Sequence, residues 1–157
     1  MNIRLIVIGR TVEKYLQSGL DEYCKRLSRF ARYTIEVIPD IKGAKSLSQN
    51  EIKEHEGAKI LEKVGTSDFV VLLDERGKEY SSMGFARFLE DMALRSTKSL
   101  TFVIGGAYGF SGGVYNRSND KISLSKMTFS HQMVRLIFTE QLYRGYSIIN
   151  NLPYHHE

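Results

Sequence analysis

The residues best equipped for chemistry fall in two short runs. One is 121–135, K-I-S-L-S-K-M-T-F-S-H-Q-M-V-R; the other is 105–110, G-G-A-Y-G-F. In the first, a short strand over 121–124 gives way to the polar loop Ser125-Lys126-Met127-Thr128, and a long helix then starts that carries His131 and Arg135. Four residues apart, these two share a helix face. A strand end, a loop of small and hydroxyl side chains and a helix start with a cationic face form a ligand-binding corner. In the second run, glycines stand directly after a strand, where the backbone can approach a ligand closely. A tight strand-to-helix turn is the other reading of the same glycines.

Spacing excludes several chemistries. G-G-A-Y-G-F lacks the G-x-G-x-x-G pattern, and the chain has no G-x-x-x-x-G-K-[ST], so a P-loop nucleotidase is not expected. Gly109-Phe110-Ser111-Gly112-Gly113 matches G-x-S-x-G, but a hydrolase elbow needs its serine at the strand-to-helix turn itself, and Ser111 stands well past Ile104. His131, His155 and His156 do not show the helical i, i+4 histidine spacing of a zinc site, and a single Cys24 cannot build a multi-cysteine one, so no metal is expected. These histidines suit proton handling or phosphate contact better, with a reference pKa of about 6.5.

The scaffold that would position these runs reads as alternating strands and helices. Residues 3–8 form a mostly apolar strand ending at Gly9, and Thr11 can cap the helix after it. That helix buries Leu16, Leu20, Tyr23, Cys24 and Leu27, while Lys25, Arg29 and Arg32, with Arg26 beside them, lie on another face. This basic face is either solvated or a contact for RNA phosphates. Residues 33–38 read as a second strand stopped at Pro39, and Ser48 with Glu51 forms a capping box for a second helix. The uninterrupted F-V-V-L-L of 69–73 looks like a central parallel strand that runs into a charged loop over 74–78. Ser81 or Ser82 caps a third helix, L-T-F-V-I of 100–104 is a fourth strand, and a short helix over 114–117 leads to the fifth strand. This order implies one α/β domain over 1–157, an open, mainly parallel sheet with helices on both faces. Ligands bind outside the carboxyl ends of such strands, so the ends at Leu73, Gly105 and Leu124 are expected to converge on one crevice.

The last helix, about 130–149, is apolar nearly all round: Met133, Val134, Leu136, Ile137, Phe138, Leu142, Tyr143 and Tyr146 cannot all face one core. A homodimer through this helix is expected, to be broken by Phe138→Asp or Leu142→Asp. A net charge of +4 tilts toward a nucleic-acid or phosphate partner. No apolar run approaches the roughly 20 residues needed to span a membrane, the N-terminus reads as a strand and not a signal peptide, and a cytoplasmic protein is expected.

Four segments carry a resemblance: I-G-G-A-Y-G, S-L-S-K-M-T-F-S-H-Q-M-V-R, the E-Q-L-Y-R helix and the terminal N-L-P-Y-H. Together they resemble the RlmH family of SPOUT methyltransferases, over residues from Ile3 to the C-terminus. The resemblance implies a C-terminal trefoil knot (the SPOUT fold), a homodimer, and methylation of N3 of a pseudouridine in 23S ribosomal RNA of the assembled ribosome, with S-adenosyl-L-methionine as donor. It puts the cofactor on Leu73, Gly105, Leu124, Ser125, Lys126, Met127, Thr128 and Phe129. The family's usual proline before the motif histidine is Ser130 here, and some relatives carry arginine at the position of His156. The acceptor N3 must lose a proton, so His155 is expected to orient the base or take that proton, and Tyr154 to stack on it. Arg135 and His131 are expected to hold phosphate or uracil carbonyls, with Lys25, Arg29 and Arg32 as further RNA contacts. The tail is expected to fold over the cofactor crevice, its own or a partner's, behind a turn stiffened by Pro153. A rival reading is a ribosome-binding module that keeps the fold without catalysis; cofactor binding with no methyl transfer would favour it.

Overall fold

Apolar runs and alternating patterns become five parallel strands in the computed structural model, which describes residues 1–156; Glu157, the last residue of the expected tail, lies outside the described residues. The strands are β1 (Asn2–Ile8), β2 (Arg32–Ile38), β3 (Phe69–Glu79), β4 (Ser99–Val103) and β5 (Asp120–Ser123). Their order in the sheet is β2-β1-β4-β3-β5, and every pairing is parallel. The helices are α1 (Lys14–Leu27), α2 (Gln49–Lys63), α3 (Ser82–Leu94), α4 (Gly112–Arg117) and α5 (Met133–Ile149), with a short 3-10 turn at Ala44–Ser46.

Alternation along β1 divides the core in two. Ile3, Leu5 and Val7 pack with Leu27 of α1, with Phe85, Phe88, Leu89 and Met92 of α3 and with Phe138 and Leu142 of α5. Ile6 and Ile8 face the other way, toward Ile60 of α2 and Val114 of α4. Successive strand residues point to opposite faces, so both sides of the sheet are covered by helices, as expected. Local signals act where they were read. Ser48 and Glu51 close both bonds of the capping box on α2, and Ser81 caps α3 through the Gly84 N–H.

Tertiary partners overrule other local readings. Thr11 does not cap α1, whose N-cap is Glu13; its hydroxyl accepts from Arg135 instead. The charged stretch 74–78 is not a free loop after β3. The strand leaves its register at Leu73 and rejoins β5 at Lys78, with Leu73 and Lys78 both opposite Ile122. Gly77 allows the return, since a β-carbon there would lie 2.6 Å from the β5 backbone. Nor do Phe138 and Leu142 serve an interface: both are wholly buried in the chain's own core, so an aspartate at either would break the subunit itself.

Candidate active site

Three adjacent strand ends form the site. β4, β3 and β5 lie side by side, and their carboxyl ends open into a crevice of about 490 Å³. Leu73, Gly105, Leu124, Ser125, Met127, Thr128, Phe129 and His131 all line it. Of the expected cofactor residues, only Lys126 does not; it points to solvent. The crevice wall is largely backbone, because the 105–110 loop carries little side chain until Tyr108. A Gly106–Gly109 bridge closes that loop, with Gly109 at φ +85°, where glycine avoids the strain of a β-carbon. A β-carbon at Gly105 would approach Phe110 at 3.1 Å and the Gly109 carbonyl at 3.3 Å, so this glycine shapes the loop rather than leaving room for a ligand directly.

The opposite wall is pinned by its own hydroxyls. Ser123 Oγ donates to the Ser125 carbonyl (3.0 Å), Ser125 Oγ accepts from the Met127 N–H (2.9 Å), and Ser130 Oγ accepts from the Met133 N–H (3.0 Å). Ser130 therefore ties down the turn before the last helix, whose N-cap, Gln132, makes no side-chain capping bond. His131 lies in the turn before α5 and is exposed at the crevice.

Arg135 corrects the expectation most sharply. It is 1% exposed, and its guanidinium donates to the carbonyls of Ile8 (2.7 Å), Gly9 (2.8 Å) and His131 (3.1 Å) and to the Thr11 hydroxyl (3.1 Å). Burial pushes its pKa down, against the nearby Asp40 charge. Its donors are used internally, so it presents no cationic face with His131 and is not placed to touch phosphate. It fixes the helix start, and with it the 124–131 loop, onto the end of β1.

Charge in the crevice comes from residues that motif reading passed over. Asp74 accepts a short hydrogen bond from the Tyr115 hydroxyl and another from the Arg76 N–H (2.9 Å). Burial and this carboxylate push the Tyr115 pKa up to about 12, so the phenol keeps its proton and remains a donor. Asp74, Glu75, Arg76 and Lys53 complete the rim. Nothing local marks Tyr115, which meets Asp74 only through the packing of α4 against β3.

The tail lies elsewhere. Tyr154 shares a hydrogen bond with the Tyr23 hydroxyl (3.0 Å) and bonds Glu140 Oε1 (2.9 Å), and its ring lies edge-on to Tyr143 and under the Arg144 guanidinium at 4.7 Å. Arg144 also pairs with Glu140 (2.5 Å) and contacts His155 Nδ1 (3.2 Å). An arginine N–H can only donate, so Nδ1 is the acceptor in this contact. Burial, then the bonds to Tyr23 and Glu140, push the Tyr154 pKa well above the ordinary phenol value. None of Tyr154, His155 and His156 lines the crevice of its own chain. The tail folds instead against α1 and the second half of α5. The i, i+4 spacing of Glu140 and Arg144 was the available signal for this cluster. Lys25, Arg29 and Arg32 are all exposed, but they do not share a helix face: α1 ends at Leu27, Arg29 lies in the turn after it and Arg32 opens β2; Arg26 lies over Tyr23 and Tyr143.

Among the described residues no group of histidine, cysteine and acidic side chains could hold a metal, and no helix is long and apolar enough to cross a membrane. A family model described as "Predicted SPOUT methyltransferase" matches residues 1–155. Proteins called ribosomal RNA large subunit methyltransferase H are 54% identical to the chain in Flavobacterium johnsoniae, 54% in Parabacteroides distasonis and 51% in Porphyromonas gingivalis, each over the full length of both chains. With the parallel sheet and the crevice at its three strand ends, these full-length matches show that the chain belongs to the SPOUT methyltransferase family.

Proposed function

We propose that this protein methylates N3 of a pseudouridine in 23S ribosomal RNA, within the assembled ribosome, from S-adenosyl-L-methionine held in the crevice. The observation that carries the reading is the convergence of Leu73, Gly105 and the 124–129 loop on one cavity. The lining fits that donor. Backbone groups and the apolar Leu73, Ile104 and Leu124 suit an adenosine, and the Asp74 and Glu75 carboxylates suit its cationic end. When bound, the donor supplies an electrophilic methyl group, and transfer needs donor and acceptor aligned. Leu73, Gly105 and the 124–129 backbone orient it, and Tyr115 holds Asp74 in place through their hydrogen bond.

The acceptor nitrogen must lose a proton, and the tail is the candidate to handle it. His155, steadied by Arg144, orients the base or accepts the proton at Nδ1 once the Arg144 contact gives way. Tyr154, kept protonated, is a donor and stacking surface. Because the tail lies off its own crevice, it serves the crevice of a second subunit in a homodimer. Exposed apolar side chains support such a partner: Val12, Tyr15 and Met127 are 70%, 63% and 79% exposed, and Met127 is at the crevice itself. Lys25, Arg29 and Arg32, all exposed, and His131 at the crevice are the RNA contacts of this reading. The C-terminal trefoil knot belongs to it as well, as does action in the cytoplasm.

The test is methyl transfer from labelled S-adenosyl-L-methionine to ribosomes lacking the modification. Label at N3 of one pseudouridine of 23S RNA is expected. Cofactor binding without transfer to ribosomes or to free RNA would overturn the reading and favour a ribosome-binding module.

A further inference from the structure

Behind the glycine loop lies a carboxylate that the proposed chemistry does not use. Glu56, on α2, is 7% exposed. A β-carbon at Gly106 would lie 2.5 and 2.6 Å from its two oxygens, so the carboxylate rests directly against the loop backbone. The next residue is seated similarly: a β-carbon at Gly57 would lie 2.2 Å from Ser111 Oγ. Helix α2 therefore braces the loop at both Gly106 and Ser111. Gly106 lines the crevice with its other side, so at this point the loop is a single layer between Glu56 and the ligand space.

Glu56 Oε1 is buried without a hydrogen-bond partner among the described residues. Its surroundings add to the cost: burial first, then the like charge of Asp40, push the Glu56 pKa up. Buried acceptors are normally satisfied, and each exception needs an explanation. The loop itself rests against the carboxylate, and its glycines at 105 and 106 leave the backbone free to aim an N–H at it.

We propose that Glu56 is a positioning residue for methyl-donor binding, its carboxylate accepting a backbone N–H of the 105–110 loop when the crevice on the other side is filled. The proposal rests on the reading of the crevice as the S-adenosyl-L-methionine site. A loop N–H bond to Glu56 made together with ligand binding favours the bound form by the worth of that bond. Gly106 is part of the device, because a side chain there would push the carboxylate away.

The experiment uses the full chain, calorimetry with S-adenosyl-L-methionine, and thermal melting without ligand. Glu56→Met fills a similar volume with no acceptor; Glu56→Gln keeps an acceptor oxygen. Glu56→Met should weaken cofactor binding on the order of tenfold, while its ligand-free melting temperature stays level or rises. Glu56→Gln should bind within about threefold of wild type. Wild-type protein that does not bind would sink the crevice reading itself. Wild-type binding with an equal affinity in Glu56→Met would overturn the proposal alone. So would a fall in melting temperature in both variants that tracks their loss of affinity, since that is the mark of packing.

Discussion

The two ends of α5 are built on opposite plans. At its start, the 124–131 stretch is backbone and small hydroxyl side chains around an open crevice, with Met127 and His131 left to solvent. From its middle onward, Glu140, Arg144, Tyr154, Tyr143 and Tyr23 lock one another through hydrogen bonds, an ion pair and tilted or edge-on rings. The first end is shaped to receive a ligand; the second is already ordered. Arg144 stands eleven residues after Met133, about 16 Å along α5, and this rise keeps the cluster apart from the crevice within one subunit. On the proposed reading, the crevice and the tail are two halves of a site that one chain does not bring together. A second subunit brings them together most simply.

The largest effect should come from cutting the ordered end. Removing residues 154–157 should leave cofactor affinity within a few-fold and remove most turnover. His155→Ala alone should cost on the order of 100-fold, and His156→Ala much less. Wild-type turnover on ribosomes by the truncated chain would make the tail a passive end.

Damage to the open end should do the reverse. Gly105→Val should lower cofactor affinity more than tenfold in calorimetry, through its clash with Phe110 and Gly109 rather than by filling the ligand space. Mixing the two defective proteins sharpens the comparison. If each crevice is served by a partner's tail, the mixture regains turnover that neither protein has alone. No recovery on mixing, with dimers shown by sedimentation, would place tail and crevice in the same subunit. Tyr15→Glu should weaken the dimer in the same sedimentation measurement, and an already monomeric wild type would refute the interface.

Within the ordered end, Tyr154→Phe removes bonds to Glu140 and Tyr23 but keeps the ring. It should cost about 1–2 kcal/mol in denaturant unfolding and only a few-fold in turnover. Because the Tyr154 pKa is raised, no rise in rate near neutral pH should come from its ionisation; a pH profile changed by Tyr154→Phe would contradict this.

The smallest effect concerns the wall behind the loop. The pKa of Glu56 is raised, so the native state binds its proton more tightly than the unfolded chain does. Its contribution is least unfavourable below the ordinary carboxylate value of about 4.3, and stability falls as pH rises through the raised value. Glu56→Gln should flatten that part of the stability curve. Parallel melting profiles for the two proteins would show that Glu56 does not titrate differently on folding.

Much of this was legible in the chain. F-V-V-L-L announces a strand covered on both faces, Ser48 and Glu51 announce a helix start, and the three strand ends were found by their order alone. What escaped depends on partners distant in sequence. A guanidinium on a helix start looks available until the carbonyls of Ile8 and Gly9 are known to face it. The apolar circumference of α5 suggested a partner at Phe138 and Leu142, yet the subunit's own sheet claims both. The excursion at 74–77 is invisible because Gly77 needs β5 beside it to show its purpose. The tail's place could not be read because Tyr23 lies 131 residues away.

Arg135 also bears on how the molecule is made. Its bonds to Ile8 and Gly9 join positions 127 and 126 residues apart, and Phe138 and Leu142 cover the same strand. Contacts of such long range slow folding. On a ribosome β1 emerges first, yet it receives its final cover only when α5 has been made. Until then Ile3, Leu5 and Val7 have only the partial cover of Leu27 and α3, so the interval before the last helix arrives leaves the nascent chain open to aggregation.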